Sequence, residues 1–498
     1  MWNLVLGPPG TGKTTYLLNK VEQFFNAGTR PEKLGYVAFT KKAANEALSR
    51  AVEKFGYETE ELAYFRTLHS LCYHWLSLTR TDVVDRANLR DFSKSIGERI
   101  NSAWDGENLM SLSSKGDTML FLENMARNRC VSFREQWNAN ASPDMSWLHF
   151  DWFVKNYRKY KDLNFLIDYT DMLEMFLASS GSPSLDVLIV DEAQDLSALQ
   201  WMCIEKLARN VEHVYIAGDD DQAIYRWAGA DVEHFIDLKG INTYLKQSYR
   251  VPRKVHDIAL SVVKRIGSRK EKVWEPKEEE GSVSYHTSFE HVDIDSGNWL
   301  FLARNNYLLN AVEEHLKLKG RIYQRGNRSS VSENLITAIR DWEALRKGDT
   351  LEAGRIRKIY GYMKVGRGVQ RGFKTLKTVR DDSLLSIGQL KREYGLLMDT
   401  PWHDCFDLIG NTQREYVISC LRQGEKLMSS KIKLNSIHAS KGGESDNVVL
   451  LTDLATKTWD DLYKNPDNEC RAFYVGVTRT KQNLHIVRGK TRKEFLFV

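Results

Sequence analysis

Gly7-Pro8-Pro9-Gly10-Thr11-Gly12-Lys13-Thr14 fills the pattern GxxxxGK[ST], and the residues on either side give it a structural setting. Trp2 to Leu6 is a short apolar run that reads as a buried parallel strand, and Thr15 to Phe25 carries Leu17, Leu18, Val21, Phe24 and Phe25 at helical spacing. Strand, glycine loop and helix is the context in which this pattern binds phosphate. Glycines let successive backbone N–H groups turn inward, and the helix N-terminus adds partial positive charge. The spacing then puts Lys13 on the β- and γ-phosphates of a nucleoside triphosphate and the Thr14 hydroxyl on Mg²⁺, with nucleotide contacts along the whole run to Thr15.

Two further apolar runs end in polar clusters. Val187-Leu188-Ile189-Val190 is followed by Asp191-Glu192-Ala193-Gln194-Asp195, which in a parallel sheet sets carboxylates at the edge where phosphate loops open. Asp191 is expected to hold Mg²⁺ through water and Glu192 to activate the attacking water, two tasks that hydrolysis requires. Val214-Tyr215-Ile216-Ala217 leads into Gly218-Asp219-Asp220-Asp221-Gln222, where the Gln222 amide, both donor and acceptor, suits a γ-phosphate sensor. Tyr225-Arg226-Trp227 follows at once. Aromatics there are what a base-stacking platform needs, although isolated tyrosines and tryptophans more often fill cores.

The rest of the 498-residue chain narrows the class without deciding it. This length exceeds one hydrophobic core and implies several domains. A net charge of +5 is compatible with nucleic acid but common in enzymes that bind none. The six cysteines lie far apart with no CxxC pair, which argues against a zinc ribbon or iron–sulfur cluster and for reduced thiols. No apolar run approaches the roughly 20 residues that span a bilayer, and no leader-like pattern opens the chain. The expectation is a cytoplasmic protein in a bacterial or viral-type intracellular setting, with no membrane contact.

With these strings in place, the sequence resembles the UvrD/Rep/PcrA-like DNA helicases of superfamily 1 from end to end. Tyr36-Val37-Ala38-Phe39-Thr40-Lys41 and Thr67-Leu68-His69 resemble the family's first DNA-contacting segments. Leu245 to Arg250 resembles its "NYR" element, and Leu302 to Val312, with Arg304 and Asn306, the opening of its second motor domain. Ser436-Ile437-His438-Ala439-Ser440-Lys441-Gly442-Gly443-Glu444 is similar to its "TxHxxKGLE" segment, and Arg471 to Arg479 to its last motif. The resemblance implies Tyr249 beneath the base, Arg250 on the γ-phosphate, Glu444 in the nucleotide set and Arg479 as arginine finger. It also implies DNA contacts at Phe39, Thr40, Lys41, Thr67, His69, Tyr225, Trp227, Arg304, Asn306, Ser436 and His438. Arg250 and Arg479 lie far along the chain from Lys13, which implies a site shared between two lobes that close and open with hydrolysis.

The expected fold class is α/β, with two RecA-like parallel-sheet motor domains in tandem, each interrupted by a mainly helical insertion. The first motor domain takes residues 1–80 and 164–252, around a helical insertion at 81–163 in which 150–160 reads as a basic–aromatic helix or a solvated amphipathic face. The second takes 253–329 and 428–498, around a basic insertion at 330–427. Residues 340–380 hold twelve Lys/Arg against four Asp/Glu, an excess of eight where the whole chain carries five. Gly366-Arg367-Gly368 there weakly resembles a duplex-contacting loop, with Arg367 the candidate contact. Thr15 stands where close relatives have an arginine under the base, and the chain opens without the family's adenine-reading segment. The two together predict weaker discrimination among ATP, GTP and CTP than in typical relatives. Ala228 and Gly443 replace a family arginine and leucine.

The function implied is ATP-dependent, Mg²⁺-dependent movement on single-stranded DNA and at single-strand/duplex junctions, with 3′-to-5′ polarity and unwinding, in replication, repair or recombination. The alternatives are a DNA-stimulated ATPase that strips proteins or remodels recombination intermediates, or an RNA-acting motor. A monomer is the first expectation, with a dimer left open.

Overall fold

The structure, a computed structural model, describes residues 2–101, 114–140, 145–427 and 430–497. The apolar runs become strands of a parallel sheet: β1 (Asn3–Leu6), β2 (Leu34–Ala38), β3 (Phe65–Thr67), β4 (Val187–Asp191), β5 (His213–Gly218) and β6 (Ile241–Tyr244). Their order is β3-β2-β4-β5-β1-β6, with every pairing parallel. Helices cover both faces, so β4 is buried at all five positions rather than alternating. Successive side chains still divide between two cores. Leu4, Leu6, Val37, Leu188 and Ile216 enter one; Val5, Tyr36, Ala38, Ile189 and Ala217 enter the other.

Because all six strands run the same way, their C-terminal ends share one edge. Register sets Leu6 beside Gly218 and Tyr244, and Ala38 beside Thr67 and Asp191. Every predicted site residue in this part of the chain leaves the sheet from that edge.

Between β3 and β4 the chain forms helices Arg86–Ile96, Lys115–Asn128, Phe133–Asn140 and Trp147–Leu163 around their own core of Leu89, Phe92, Leu120, Phe150 and Phe153. The parts of the expected insertion at 102–113 and 141–144 lie outside the described residues. Ions fasten these helices to the next one, Tyr169–Ala178. Arg127 pairs with Glu123, Asp168, Asp171 and Glu174, and Lys161 with Asp168 and Asp171. In the predicted basic–aromatic helix, Phe150, Phe153 and Tyr157 face inward while Lys155 and Lys159 are exposed.

A second sheet uses β7 (Ser282–His286), β8 (Trp299–Ala303), β9 (Tyr323–Arg325) and β10 (Arg328–Ser329). After a small pair, β11 (Leu351–Glu352) with β12 (Leu384–Leu385), it is completed by β13 (Ile432–Ser436), β14 (Ser445–Leu451) and β15 (Thr480–Val487). Its order is β10-β9-β13-β8-β14-β15-β7, parallel except for the β9–β10 hairpin. The intervening helices, among them Glu333–Arg346, Ala353–Gly361 and Asn411–Arg422, share one continuous core with the sheet, in which Phe301 and Leu434 join Trp342, Tyr360 and Phe406. Much of the local basic excess is used internally. Arg355 pairs with Asp341, and Arg357 donates to the carbonyls of Thr375, Leu376 and Val379.

The chain groups into two units whose limits differ from those expected. The first runs to Glu280 and also takes Asp461–Thr478; the second holds Gly281–Asp460 and Arg479–Leu496. Where the expected boundary stood at 252, helix Arg253–Val263, with Val255, Ala259 and Val262 buried, groups with the first unit. Helix Pro466–Val477 packs against it, and Arg471 is buried there with Nε donating to the Asp220 carbonyl at 2.8 Å. Among the described residues no helix is long and apolar enough to cross a membrane.

Candidate nucleotide site and nucleic-acid face

The loop after β1 is shaped by its glycines. A Cβ on Gly7 would lie 2.3 Å from Lys13 Cγ, so the lysine stem can cross the loop only there. Gly10 and Gly12 have φ of +73° and +76°, a region L side chains avoid, and Gly12 caps helix Lys13–Asn26. Thr11 Oγ1 donates to the Pro8 carbonyl at 2.8 Å, and Lys13 Nζ to the Gly7 carbonyl at 2.7 Å. The result is a helix N-terminus behind a loop whose geometry is closed by its own residues.

The end of β4 faces this loop. Thr14 Oγ1 donates to Asp191 Oδ2 at 3.2 Å, and the buried Tyr36 hydroxyl donates to the same oxygen at 2.9 Å. Burial, and after it the neighbouring Glu192 carboxylate, push the Asp191 carboxyl up to about 6, against the pull of Lys13 and the Tyr36 hydroxyl. A bound cation would offset that burden. Thr14 and Asp191 form an oxygen-only donor pair of the kind Mg²⁺ prefers. Among the described residues no group of three or more His, Cys, Asp or Glu is placed to hold a metal. The rest of such a shell would therefore be phosphate oxygens and water.

Glu192 has a left-handed backbone, φ +55°, which is strained for a residue with a side chain. Its Oε2 accepts from Gln194 Nε2 at 2.6 Å, while Gln194 Oε1 accepts from the Asp219 backbone N–H at 2.9 Å. Asp219 Oδ2 in turn accepts from Gln222 Nε2 at 2.7 Å. A hydrogen-bonded chain thus runs from the predicted base to the predicted sensor across two strand ends.

Beyond β6, Ser248 Oγ donates to the Pro9 carbonyl at 2.7 Å, and the Tyr249 N–H to the Gly10 carbonyl at 2.8 Å. A Cβ on Gly10 would sit 2.4 Å from Arg250 Cβ. Arg250 therefore belongs to the same unit as Lys13, and distance along the chain does not make it a residue of another lobe. Tyr249 is exposed, with a ring carbon 4.0 Å from a Cβ built on Gly12. Thr15 is exposed beside it.

Next to the nucleotide set, three predicted aromatics gather. Phe39 and Tyr225 have ring centroids 5.5 Å apart, and Tyr225 and Trp227 6.3 Å. Trp227 walls a cavity of about 370 Å³ with Arg129, Arg226, Asn465 and Asn468. Thr40 caps helix Lys41–Phe55 through the Ala43 N–H and stays half-exposed, Lys41 is exposed, and His69 packs edge-on to Tyr169. Thr67 differs from expectation. It is buried, its hydroxyl caps helix Leu68–Trp75 through the Ser70 N–H, and it is not presented to solvent.

Residues 2–240 match the model of the UvrD/REP helicase N-terminal domain, and residues 403–491 that of the UvrD-like helicase C-terminal domain. The chain belongs to the UvrD/Rep/PcrA-like helicase family. It is 28% identical over 271 residues to the probable DNA helicase II homolog of Mycoplasma genitalium, covering 50% of this chain and 37% of that one. It is 22% identical over 382 residues to the ATP-dependent DNA helicase PcrA of Bacillus subtilis, covering 73% and 51%. To the probable DNA helicase of Mycoplasma pneumoniae it is 25% identical over 297 residues, covering 54% of each. The chain thus spans about half or less of the length of these relatives.

In the second unit the UvrD-family residues divide between two sheet edges. Arg304 and Asn306 come just after β8 and Ser436 ends β13, strands that are in register at Ala303 and Ser436. Asn306 is exposed, Arg304 and Ser436 are half-buried, and His438 is buried within a short turn. Glu444 and Arg479 precede β14 and β15 and so lie at the opposite edge, where Ser445 pairs with Thr480. There the Ser445 N–H donates to the Arg479 carbonyl at 3.0 Å and Arg479 Nη1 to the Gly443 carbonyl at 3.3 Å. Arg367 sits on a turn opened by Gly366, φ +85°, 3.6 Å from Asp407.

Sequence reading missed Tyr36, Gln194 and Asp219 as partners of predicted residues, and Lys272, Arg269 and Arg471 around them. Gln194 and Asp219 sit inside strings already singled out, so a search for what holds Glu192 and Gln222 could have found them. Lys272 lies in no motif.

Proposed function

We propose that this chain is an ATP-driven motor that moves along single-stranded DNA and unwinds duplex at single-strand junctions. One observation carries the reading. Lys13, Thr14, Asp191, Glu192, Gln222 and Arg250 leave one edge of one sheet, and the neighbouring aromatics Phe39, Tyr225 and Trp227 leave the same edge. Lys13 and the loop amides hold the β- and γ-phosphates, Thr14 and Asp191 hold Mg²⁺, and Glu192 takes a proton from the attacking water. Gln222 senses the γ-phosphate. Arg250 and Arg479 stabilise charge on the transferred group, a contribution worth about 10³–10⁵ in rate for such arginines. Phe39, Tyr225 and Trp227 offer π-faces that accept any base, which a motor passing every sequence requires.

The 3′-to-5′ polarity rests on the family resemblance. Unwinding of paired 3′- and 5′-tailed duplexes with ATP and Mg²⁺ tests it, and displacement from the 5′ tail alone would reverse it. Translocation on bare strand without displacement from either duplex would favour a protein-stripping ATPase. Stimulation by poly-U matching that by poly-dT would favour an RNA-acting motor.

A further inference from the structure

Asp219, Asp220 and Asp221 are consecutive and almost fully buried, an arrangement tolerable only with cations among them. Lys272 supplies one. Its side chain is 1% exposed, and its Nζ lies 3.2 Å from Asp219 Oδ1 and 3.0 Å from Asp221 Oδ2, and pairs with Asp220 Oδ1. Arg269 grips Asp221 with two bonds of 2.7 Å, so Asp221 keeps a partner of its own. Lys270 donates its backbone N–H to Asp220 Oδ2 at 2.8 Å. Among the described residues, Lys272 is the cation that Asp219 pairs with.

The asymmetry matters because Asp219 is the carboxylate that meets the hydrolytic residues. Its Oδ2 accepts from Gln222 Nε2, and its backbone N–H donates to Gln194, whose amide holds Glu192 Oε2. We infer that Lys272 is a positioning residue for hydrolysis: by pairing with the Asp219 carboxylate it sets the Gln222 amide and, through Gln194, the Glu192 carboxylate. Without the ammonium, three adjacent buried carboxylates repel one another. One must take a proton or turn away, and a protonated or rotated Asp219 no longer orients Gln222. Lys272 lies outside every string that resembles the family, and its action rests on the proposed reading of this site as one that hydrolyses ATP.

The test is steady-state ATPase with poly-dT together with titration of a fluorescent ATP analogue. Lys272→Met, Lys272→Arg and Asp219→Asn are measured, each alone and in a Gln222→Ala background. Misplacing a catalytic group costs up to about 10²-fold, so Lys272→Met should lower kcat by roughly 10- to 100-fold while nucleotide Kd stays within about twofold. Lys272→Arg should recover most of the rate. In the Gln222→Ala background the Lys272→Met loss should shrink sharply, because residues acting as one unit are not additive. An equal fold-loss in both backgrounds, or kcat and Kd moving together, would overturn the inference in favour of a structural role. If Lys272→Met does not fold, Asp219→Asn carries the same comparisons, and wild-type kcat there overturns it equally. A wild-type chain with no Lys13-dependent hydrolysis would instead defeat the motor reading, and this inference with it.

Discussion

Replacing Trp227 with alanine removes one ring of the Phe39–Tyr225–Trp227 group and opens the wall of the adjoining cavity. Base–aromatic stacking is worth about 1–3 kcal/mol per base, which predicts a Kd for single-stranded DNA weaker by about 5- to 150-fold. The structure narrows what else should change. The two arginines that line the cavity with Trp227 are already engaged: Arg226 pairs with Glu233, and Arg129 Nη2 donates to the Arg226 carbonyl at 3.1 Å. Losing the indole therefore removes no phosphate contact, and the slope of log Kd against log salt should stay as in the wild type. Trp227 is only partly buried, so the fold should survive. Trp227→Phe keeps a π-face and should recover most of the affinity. Fluorescence anisotropy with a labelled dT oligonucleotide, repeated at several salt concentrations, measures both quantities. A Kd within twofold of wild type would refute the stacking role, and a salt slope reduced by about one would reassign Trp227 to placing a backbone contact.

Lys13→Ala should abolish hydrolysis, and Glu192→Gln should leave ATP bound but uncleaved; single-turnover assays with radiolabelled ATP distinguish the two, and wild-type turnover in either contradicts the assignment. Arg127→Met strips the shared cation from four carboxylates at the base of the helical insertion. Breaking a buried pair costs about 3–5 kcal/mol, and the lower end is expected because Lys161 still pairs with Asp168 and Asp171, and Glu123, which burial already pushes up to about 7, can take a proton. Faster hydrogen exchange in Lys115–Asn128 reports the loss, and unchanged protection there would show the ions to be neutral. His286 Nε2 and His485 Nδ1 lie 3.0 Å apart on β7 and β15, and burial lowers both rings below the usual histidine range. The unfolded chain therefore binds more protons once pH falls below about 6.5, so this pair's contribution to the second unit is intact above that pH and lost as pH drops towards the folded values. Urea midpoints should fall less steeply on acidification in His485→Gln than in the wild type, and parallel curves would contradict the pairing.

Much of the site was legible because each part is short and local. Eight consecutive residues make the phosphate loop, and four apolar residues before Asp191-Glu192 make a strand buried on both faces. Parallel strands then put their ends on one edge without further information. Nothing local reports on partners across that edge. Tyr36 is 155 residues from Asp191, its hydrogen-bond partner, and within β2 it reads only as another core aromatic. Thr67 is singled out only by resemblance to a DNA-contacting segment; a threonine just ahead of a helix also satisfies an orphan N–H, and its hydroxyl is engaged in that cap here.

The stretch Asp461–Thr478, which groups with the first unit, shows what the sequence pattern leaves open. Pro466 at the first turn and Cys470, Phe473, Tyr474 and Val477 at helical spacing suit a helix, but such a face suits either sheet's core, so hydrophobic pattern cannot say which unit receives it. The choice is made by Arg471. A guanidinium this deeply buried is tolerable only where acceptors already wait, and the first unit offers the Asp220 and Ser268 carbonyls at 2.8 and 2.5 Å. Asp220 belongs to the acidic run that Lys272 holds around Gln222. The helix that ends just before Thr478-Arg479 is thus anchored on the backbone of the acidic run that holds the proposed sensor, through the Asp220 carbonyl 251 residues away in sequence. Disturbing those aspartates should therefore be felt at both Gln222 and the base of this helix, a linkage visible only once the fold has brought the two strings together.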